Sequence, residues 1–506
     1  MRQRITTLFA GGLLALALFG VAAAGPLEDG EDAARRGYSA EAMQYWRPLA
    51  DHGNALAQFK LGLLYREGQG VPQDYAQAVI WFRKAADQGV AEAQASLGLA
   101  YANGQGVPQD YAQAVIWYRK AADQGNAVAQ AGLGWASENG QGVPQDYAQA
   151  VIWYGKAADQ GHAGAQNNLG GMYANGQGVR QDFAQAVAWF RKAADQGLAE
   201  AQGRLGDMYA KGQGVPQDYA QAVIWYRKAA DQGNAEAQAN LGVAYENGQG
   251  VPQDFAQAVI WYRKAADQGH AGAQTNLGSA YAKGQGVPQD FAQAVIWHRK
   301  AADQGEAVAQ YDLGSSYHEG RGVAQNYAQA VIWFRKAADQ GYAAAQYNLG
   351  VMYWDGQGVS QDYAQAVAWF RKAADQGLAG AQFNLGLAYA KGQGVPQDYT
   401  QAHMWLNLSA SRALDDTVRR AAVIHREELA AKMTPEQIAE AQRMAREWAP
   451  KGASGTAWNS PPMDSPTIDT PPHSESERRA VHRAAQECLE RWIKDGSVKC
   501  PPWPKD

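Results

Sequence analysis

The stretch "GQGVPQDYAQAVIWYRKAADQG" occupies Gly104–Gly125 and returns unchanged at Gly212–Gly233. Its second part reads as a helix. Asp110 and Gln113 have the residue types and spacing of an N-cap with its capping-box partner, and Ala114, Trp117, Tyr118, Ala121 and Ala122 then fall on one arc. Gly125 supplies a left-handed stop. Gly104-Gln105-Gly106-Val107-Pro108 reads as a bend, with Gly where positive φ is expected and Pro fixing the exit. In the helix expected just before it, Ala93, Gln94, Leu97, Gly98 and Tyr101 share one arc, and the small Gly98 admits a close neighbour. Each unit is therefore expected to be a helical hairpin.

A Leu-Gly pair recurs from Leu61 to Leu385, and a Trp from Trp81 to Trp405, both at a constant step of 36 residues, which makes ten units without an insertion. Self-similarity at this period signals a stacked array. One hairpin alone cannot enclose a Trp and a Leu, so each unit must bury its apolar side against the next, and the same wording returns because the same interface is built again. The expectation is one solenoid in place of several globular domains.

The pattern Ala-Gln-x-x-Leu-Gly-x-x-Tyr-x-x-Gly-x-Gly-Val-x-x-Asp-x-x-x-Ala-x-x-Trp-x-x-x-Ala-Ala-x-x-Gly, read from Ala93 to Gly125, resembles the Sel1-like repeat family, relatives of the tetratricopeptide repeats. The resemblance covers about Asn54 to Trp405, and the stretch His403 to Trp448, ending "MTPEQIAEAQRMAREW", is similar to the helical tail of bacterial members. It implies an all-α fold, an α/α superhelical solenoid, and a role in binding other proteins, frequently as an adaptor in cell-envelope or secretion assemblies. Five departures stand out: Ser137 replaces Tyr, Gly155 replaces Arg, and Arg180, Ala324 and Ser360 replace the loop Pro. They bear on local packing and leave the expected fold intact.

The ends differ from the repeats. Arg2 and Arg4, the apolar run Leu8 to Val21 and Ala22-Ala23-Ala24 have the order of a secretory signal peptide, placing a cut after Ala24. A retained anchor is the alternative, since Ile5 to Ala24 approaches the ~20 residues that span a bilayer. No Cys lies near the cut to carry a lipid. The expected protein is therefore periplasmic or secreted, without stable membrane insertion after cleavage. Residues 25–53 are read as an N-terminal cap centred on a helix from Ser39 to Asp51, 54–412 as the solenoid, and 413–449 as C-terminal capping helices. In that last segment Thr434-Pro435-Glu436-Gln437 opens a helix. Residues 450–473 read as a Pro/Ser/Thr-rich linker, and 474–506 as a short amphipathic helix followed by Cys500. In an exported chain the two cysteines, Cys488 and Cys500, favour a disulfide over two separate thiols.

Charged residues make up 19% of the chain with interleaved signs and a net charge of -5, which argues against nucleic acid as a partner. No metalloprotease, nucleophile-elbow, Walker or Cys/His metal pattern is present, so no catalytic residue, metal or cofactor is assigned. His162 and His270 read as surface residues at helix starts, and Asp110 with Arg119 and Lys120 as a solvated helix surface. Variation between units concentrates on the first-helix arc opposite Leu97, the arc that lines the concave side in related solenoids. At the Ala95 position stand Tyr311, Tyr347 and Phe383; Trp354 adjoins them, and the next position supplies Asn276, Asp312, Asn348 and Asn384. Aromatic faces with amide groups suit a peptide segment of a partner, although Tyr-Asn before Leu-Gly also suits packing between repeats. The favoured function is an exported, non-catalytic scaffold binding protein partners. A β-lactam-binding or hydrolysing repeat protein and a glycan- or peptidoglycan-binding envelope protein are the alternatives. Ile116 falls on the polar arc of the second helix, which implies either a contact with an adjacent unit or a shifted helical phase.

Overall fold

The computed structural model describes residues 25–451, in which every regular element is an α-helix. The expected signal segment, most of the expected linker, and the C-terminal helix with Cys488 and Cys500 lie outside the described residues. Two compact units divide after Asp362.

In the first unit the quoted stretch forms the helix Tyr111–Asp123, preceded by the helix Ala91–Asn103 of the same hairpin. Asp110 caps the second helix by accepting the Gln113 N–H at 2.9 Å. The reciprocal half of the expected capping box does not form, because the Asp110 N–H already donates to the Tyr101 carbonyl at 2.9 Å. The bend depends on two left-handed glycines, Gly104 at φ 67° and Gly106 at φ 74°. A Cβ on Gly106 would lie 2.2 Å from the Tyr75 carbonyl oxygen, so this glycine is also where the loop meets the preceding repeat. The Pro is dispensable: the loops with Arg180, Ala324 and Ser360 keep the same glycine angles, 68° and 70°, 71° and 73°, and 68° and 70°.

Inside a hairpin the close approach takes a specific form. A Cβ on Gly98 would meet the Tyr118 ring at 2.6 Å, so the glycine is the seat of the buried ring from the second helix. Between hairpins, Trp117 packs with Val79, Phe82, Ala86, Ala93 and Leu97, joining two repeats in one core cluster. A buried amide ladder runs alongside. Gln94 donates to the Ala86 carbonyl of the preceding repeat at 3.1 Å and accepts from Gln124 of its own repeat at 2.8 Å. Buried amides paired on both ends cost little and fix the register of the stack.

A second tie recurs at several interfaces of this unit. Arg83 donates to the Tyr101 hydroxyl and stands 5.8 Å from the Tyr101 ring and 5.7 Å from the Trp117 ring. Arg227 and Arg299 repeat the arrangement on Tyr245 with Trp261 and on Tyr317 with Trp333. Two of the sequence departures interrupt it. Ser137 removes the tyrosine that Arg119 would meet, Gly155 removes the guanidinium that Tyr173 and Trp189 would meet, and Trp153 and Trp189 are only partly buried as a result. Trp117, Trp225 and Trp261 are 5%, 9% and 5% exposed.

At the front of this unit the helix Ser39–Asp51 forms as expected, paired with a further helix, Pro26–Arg35. Trp46 seats on Gly30 as the repeat ring seats on its glycine, and Arg47 reaches the Trp81 ring at 5.3 Å. The N-terminal cap thus starts the tie.

The second unit holds the helices Tyr363–Asp375, Ala379–Lys391 and Tyr399–Arg412, then Asp416–Ala430 and Pro435–Glu447. Thr434 and Gln437 form the expected capping box, at 2.9 and 3.3 Å, with Pro435 in the first turn. Both closing helices pack on Tyr399–Arg412. They bury Met404, which stands at the position of Ile116.

Loss of an interface Trp is expected to be costly and local. Trp225→Ala should lower the stability read from urea unfolding by about 3–5 kcal/mol, the range for truncating a buried large aromatic. The partly exposed Trp189→Ala should cost about 1–2 kcal/mol. Equal losses at the two positions would contradict this reading of the seam.

Candidate functional site

The first helices present one buried edge and one variable edge. Ala273, Leu277 and Gly278 are buried in the stack, while the neighbouring Asn276 is partly exposed. Asn276, Tyr311, Asp312, Tyr347, Asn348 and Trp354 all belong to the first unit and all are partly buried. They lie on three successive first helices, Ala271–Lys283, Ala307–Glu319 and Ala343–Asp355.

The rings and amides on this face take part in packing as well as facing outward. The Tyr311 ring lies 5.7 Å from Phe334 and 5.2 Å from Tyr342, the N-cap of the next first helix. Burial pushes the Tyr311 and Tyr262 phenols up, and the nearby Asn348 and Asn276 amides oppose it. Asn240 reaches back to Asp207 of the preceding repeat at 3.2 Å, and Tyr226 donates to the same carboxylate at 2.7 Å. Neighbouring first helices therefore share one polar surface. Trp354 sits one turn before the loop, its carbonyl accepting from Gln361 at 2.7 Å. In the second unit Phe383 packs against His425 of the closing helix, ring centroids 5.8 Å apart, and Asn384 is partly exposed beside it.

One pair on this face is electrostatically unusual. His298 occupies the ring seat held by Tyr118 or Phe82 elsewhere, against Gly278, and is 3% exposed. Neither ring nitrogen has a hydrogen-bond partner among the described residues, and the nearest acid is Asp312 at 3.6 Å. Burial holds the His298 imidazole below its ordinary value, with Asp312 opposing, and burial also pushes the Asp312 carboxyl up. Sequence comparison between repeats carried the signal: His298 is the one polar ring in a Phe/Tyr column.

His162 and His270 are helix N-caps, their Nδ1 atoms accepting from Ala165 and Ala273 at 3.0 and 3.1 Å in the role Asn126 plays at its position. The helical phase around Ile116 stands as read. Ile116 is 48% exposed, and the equivalent Ile80 and Ile260 are 47% and 46% exposed, so this isoleucine faces outward and does not touch an adjacent unit's core.

The Sel1 repeat pattern matches ten consecutive segments, from 55–90 through 379–414, without a gap. The chain belongs to the Sel1 repeat family. A crystal structure of a protective antigen present in uropathogenic Escherichia coli strains, displaying an SLR fold, is 36% identical over 95% of this chain and 96% of that one, with a TM-score of 0.72. A Sel1 repeat protein from Oxalobacter formigenes is 35% identical over 48% of this chain and 97% of that one, TM-score 0.45. No curated protein matches the chain by sequence. Sel1 repeat solenoids typically mediate protein–protein interaction, and repeat proteins of this kind are generally non-catalytic scaffolds.

The His298 seat sets a pH dependence. A histidine whose folded pKa lies below its unfolded value near 6.5 binds fewer protons in the folded state, so stability is lost as the pH falls below about 6.5. His298→Phe, restoring the ring used at the Phe82 position, should remove that loss. Urea midpoints at pH 7.5 and pH 5 should show the variant more stable at both, with the larger gain at pH 5. A gain that shrinks on acidification would contradict the assignment.

Proposed function

We propose that this Sel1 repeat protein is an exported scaffold that holds a peptide segment of a protein partner on its first-helix face. One observation carries the reading: the residues that build the stack recur from repeat to repeat, while the first-helix face changes its side chains at each step. Asn167, Gly203, Ala239, Thr275, Tyr311 and Tyr347 succeed one another at a single position. The position is buried at Ala95, Asn167, Ala239 and Thr275, which corrects the expected outward arc there, and it opens partly at Tyr311 and Tyr347, where the side chains are aromatic.

The richest part of that face in the first unit contains Tyr311, Tyr347 and Trp354 with Asn276, Asp312 and Asn348. Rings give contact area at low conformational cost. Each Asn amide has two donors and an acceptor oxygen, groups suited to a peptide backbone. Phe383 and Asn384 are the corresponding elements of the second unit. Export is supported by the charged, apolar and small-residue order of residues 1–24, and by the likeness to a protein described as a protective antigen. Among the described residues no helix is long and apolar enough to cross a membrane. An envelope or secretion component is the partner class that fits this location.

A photo-crosslinking residue placed at Tyr347 in cells, with the outward Ile260 as control, tests the reading. A discrete protein adduct is expected at position 347 and not at 260, and Asn348→Ala with Trp354→Ala should diminish it without lowering the stability read from urea unfolding by more than ~1 kcal/mol. Adducts equal at both positions would contradict it. So would a chain that turns over a β-lactam reporter, or is retained on peptidoglycan, and forms no protein adduct.

A further inference from the structure

The Arg–Tyr–Trp tie contains a receptor for a guanidinium group, and at one interface the arginine position that supplies it is a glycine. In three ties the guanidinium from one repeat donates to a Tyr hydroxyl of the next and lies at about the same distance from two rings: 5.8 and 5.7 Å for Arg83, 5.8 and 5.8 Å for Arg227, 5.7 and 5.8 Å for Arg299; Arg191 and Arg263 stand 5.9 Å from the Tyr ring. A Lys from the Trp's own helix supplies a further cation, as Lys120 does on Trp117 at 4.1 Å.

At the interface of repeats 127–162 and 163–198 the Tyr and the Trp are present as Tyr173 and Trp189, and Lys192 keeps its place 3.8 Å from the Trp189 ring. The arginine position is Gly155. A Cβ built on Gly155 meets nothing within 4 Å, and Trp189, like Trp153, is partly exposed where the other repeat Trp residues are buried. The walls of the seat are thus retained, and Trp189 is only partly buried.

We propose that Tyr173 and Trp189 form a binding site for a guanidinium supplied from outside the chain, namely an arginine side chain of a protein partner. The recognition chemistry is read from the internal copies: a planar cation next to two aromatic rings, donating to a phenol oxygen. A lysine ammonium does not reproduce the planar stacking, and citrulline lacks the charge. The guanidinium class rests on the geometry of the intact ties. Its source in a protein rests on the partner-binding function proposed above.

The test uses the full chain labelled with 5-fluorotryptophan, the Trp189 resonance being identified by its loss in Trp189→Phe. Titration with N-acetyl-arginine amide should shift the Trp189 resonance selectively, while the lysine and citrulline amides leave it in place. Tyr173→Phe should weaken the effect roughly tenfold, the order expected for loss of a hydrogen bond to a charged group. Gly155→Arg, which fills the seat from within, should abolish it. Absence of a selective shift, or an equal shift in wild type and Gly155→Arg, overturns the site while leaving the first-helix scaffold reading intact. A short acetylated peptide with one central arginine should bind more tightly than the amide. Equal affinity would overturn the protein source and assign the seat to small guanidinium compounds.

Discussion

The first unit depends on a single kind of contact, the interface between one hairpin and the next. A hairpin of two 13-residue helices has too little interior to enclose a Trp, a Leu and a ring such as Tyr118. Each repeat therefore completes the core of its neighbour, and stability is the sum of like interfaces. Three devices act together there: the Trp117 cluster, the Gln94 ladder to the preceding carbonyl, and the Arg83 tie. The first supplies apolar burial, the second register, and the third a cation between two rings.

Because the interface uses positions fixed by the 36-residue step, the remaining positions are released from that duty. The first-helix face is where the release shows. Its polar groups are not idle in the free protein, since Tyr226 and Asn240 both hold Asp207. Such a face is already ordered before a partner arrives, which lowers the conformational cost of binding. The same logic explains why weak points are informative. Where Gly155 and Ser137 omit parts of the tie, Trp189 and Trp153 come partly into view, and a local loss of internal contact becomes an opening to the outside.

Much of this was legible in the sequence because the determinants are local and repeated. Asp110 as N-cap, Gly104 and Gly106 in the bend, and the arc carrying Leu97 all follow from helix periodicity and turn chemistry. The helix Pro26–Arg35 escaped, since its Gly30 reads as a breaker and only Trp46 packed against it shows its purpose. The capping box expected of Asp110 and Gln113 does not form, because the Asp110 N–H is taken by the Tyr101 carbonyl nine residues away, across a loop whose path the spacing does not specify. The Arg–Tyr–Trp tie joins residues 18 and 34 positions apart, as in Arg83, Tyr101 and Trp117, and no helical period connects them. The candidate face was legible as variation. Its double role was not, because Phe383 meets His425 and Tyr311 meets Tyr342 only once the repeats are stacked.

Hydrogen exchange followed by mass spectrometry on the native full chain tests the claim that these interfaces determine where the stack yields. The second helices Tyr147–Asp159 and Phe183–Asp195 flank the interfaces with interrupted ties, whereas Tyr219–Asp231 and Phe255–Asp267 carry intact ones. The account predicts faster exchange in the first pair than in the second, by roughly tenfold or more for each ~1.4 kcal/mol of missing contact. Equal protection in the two pairs, or greater protection around Gly155, would contradict it.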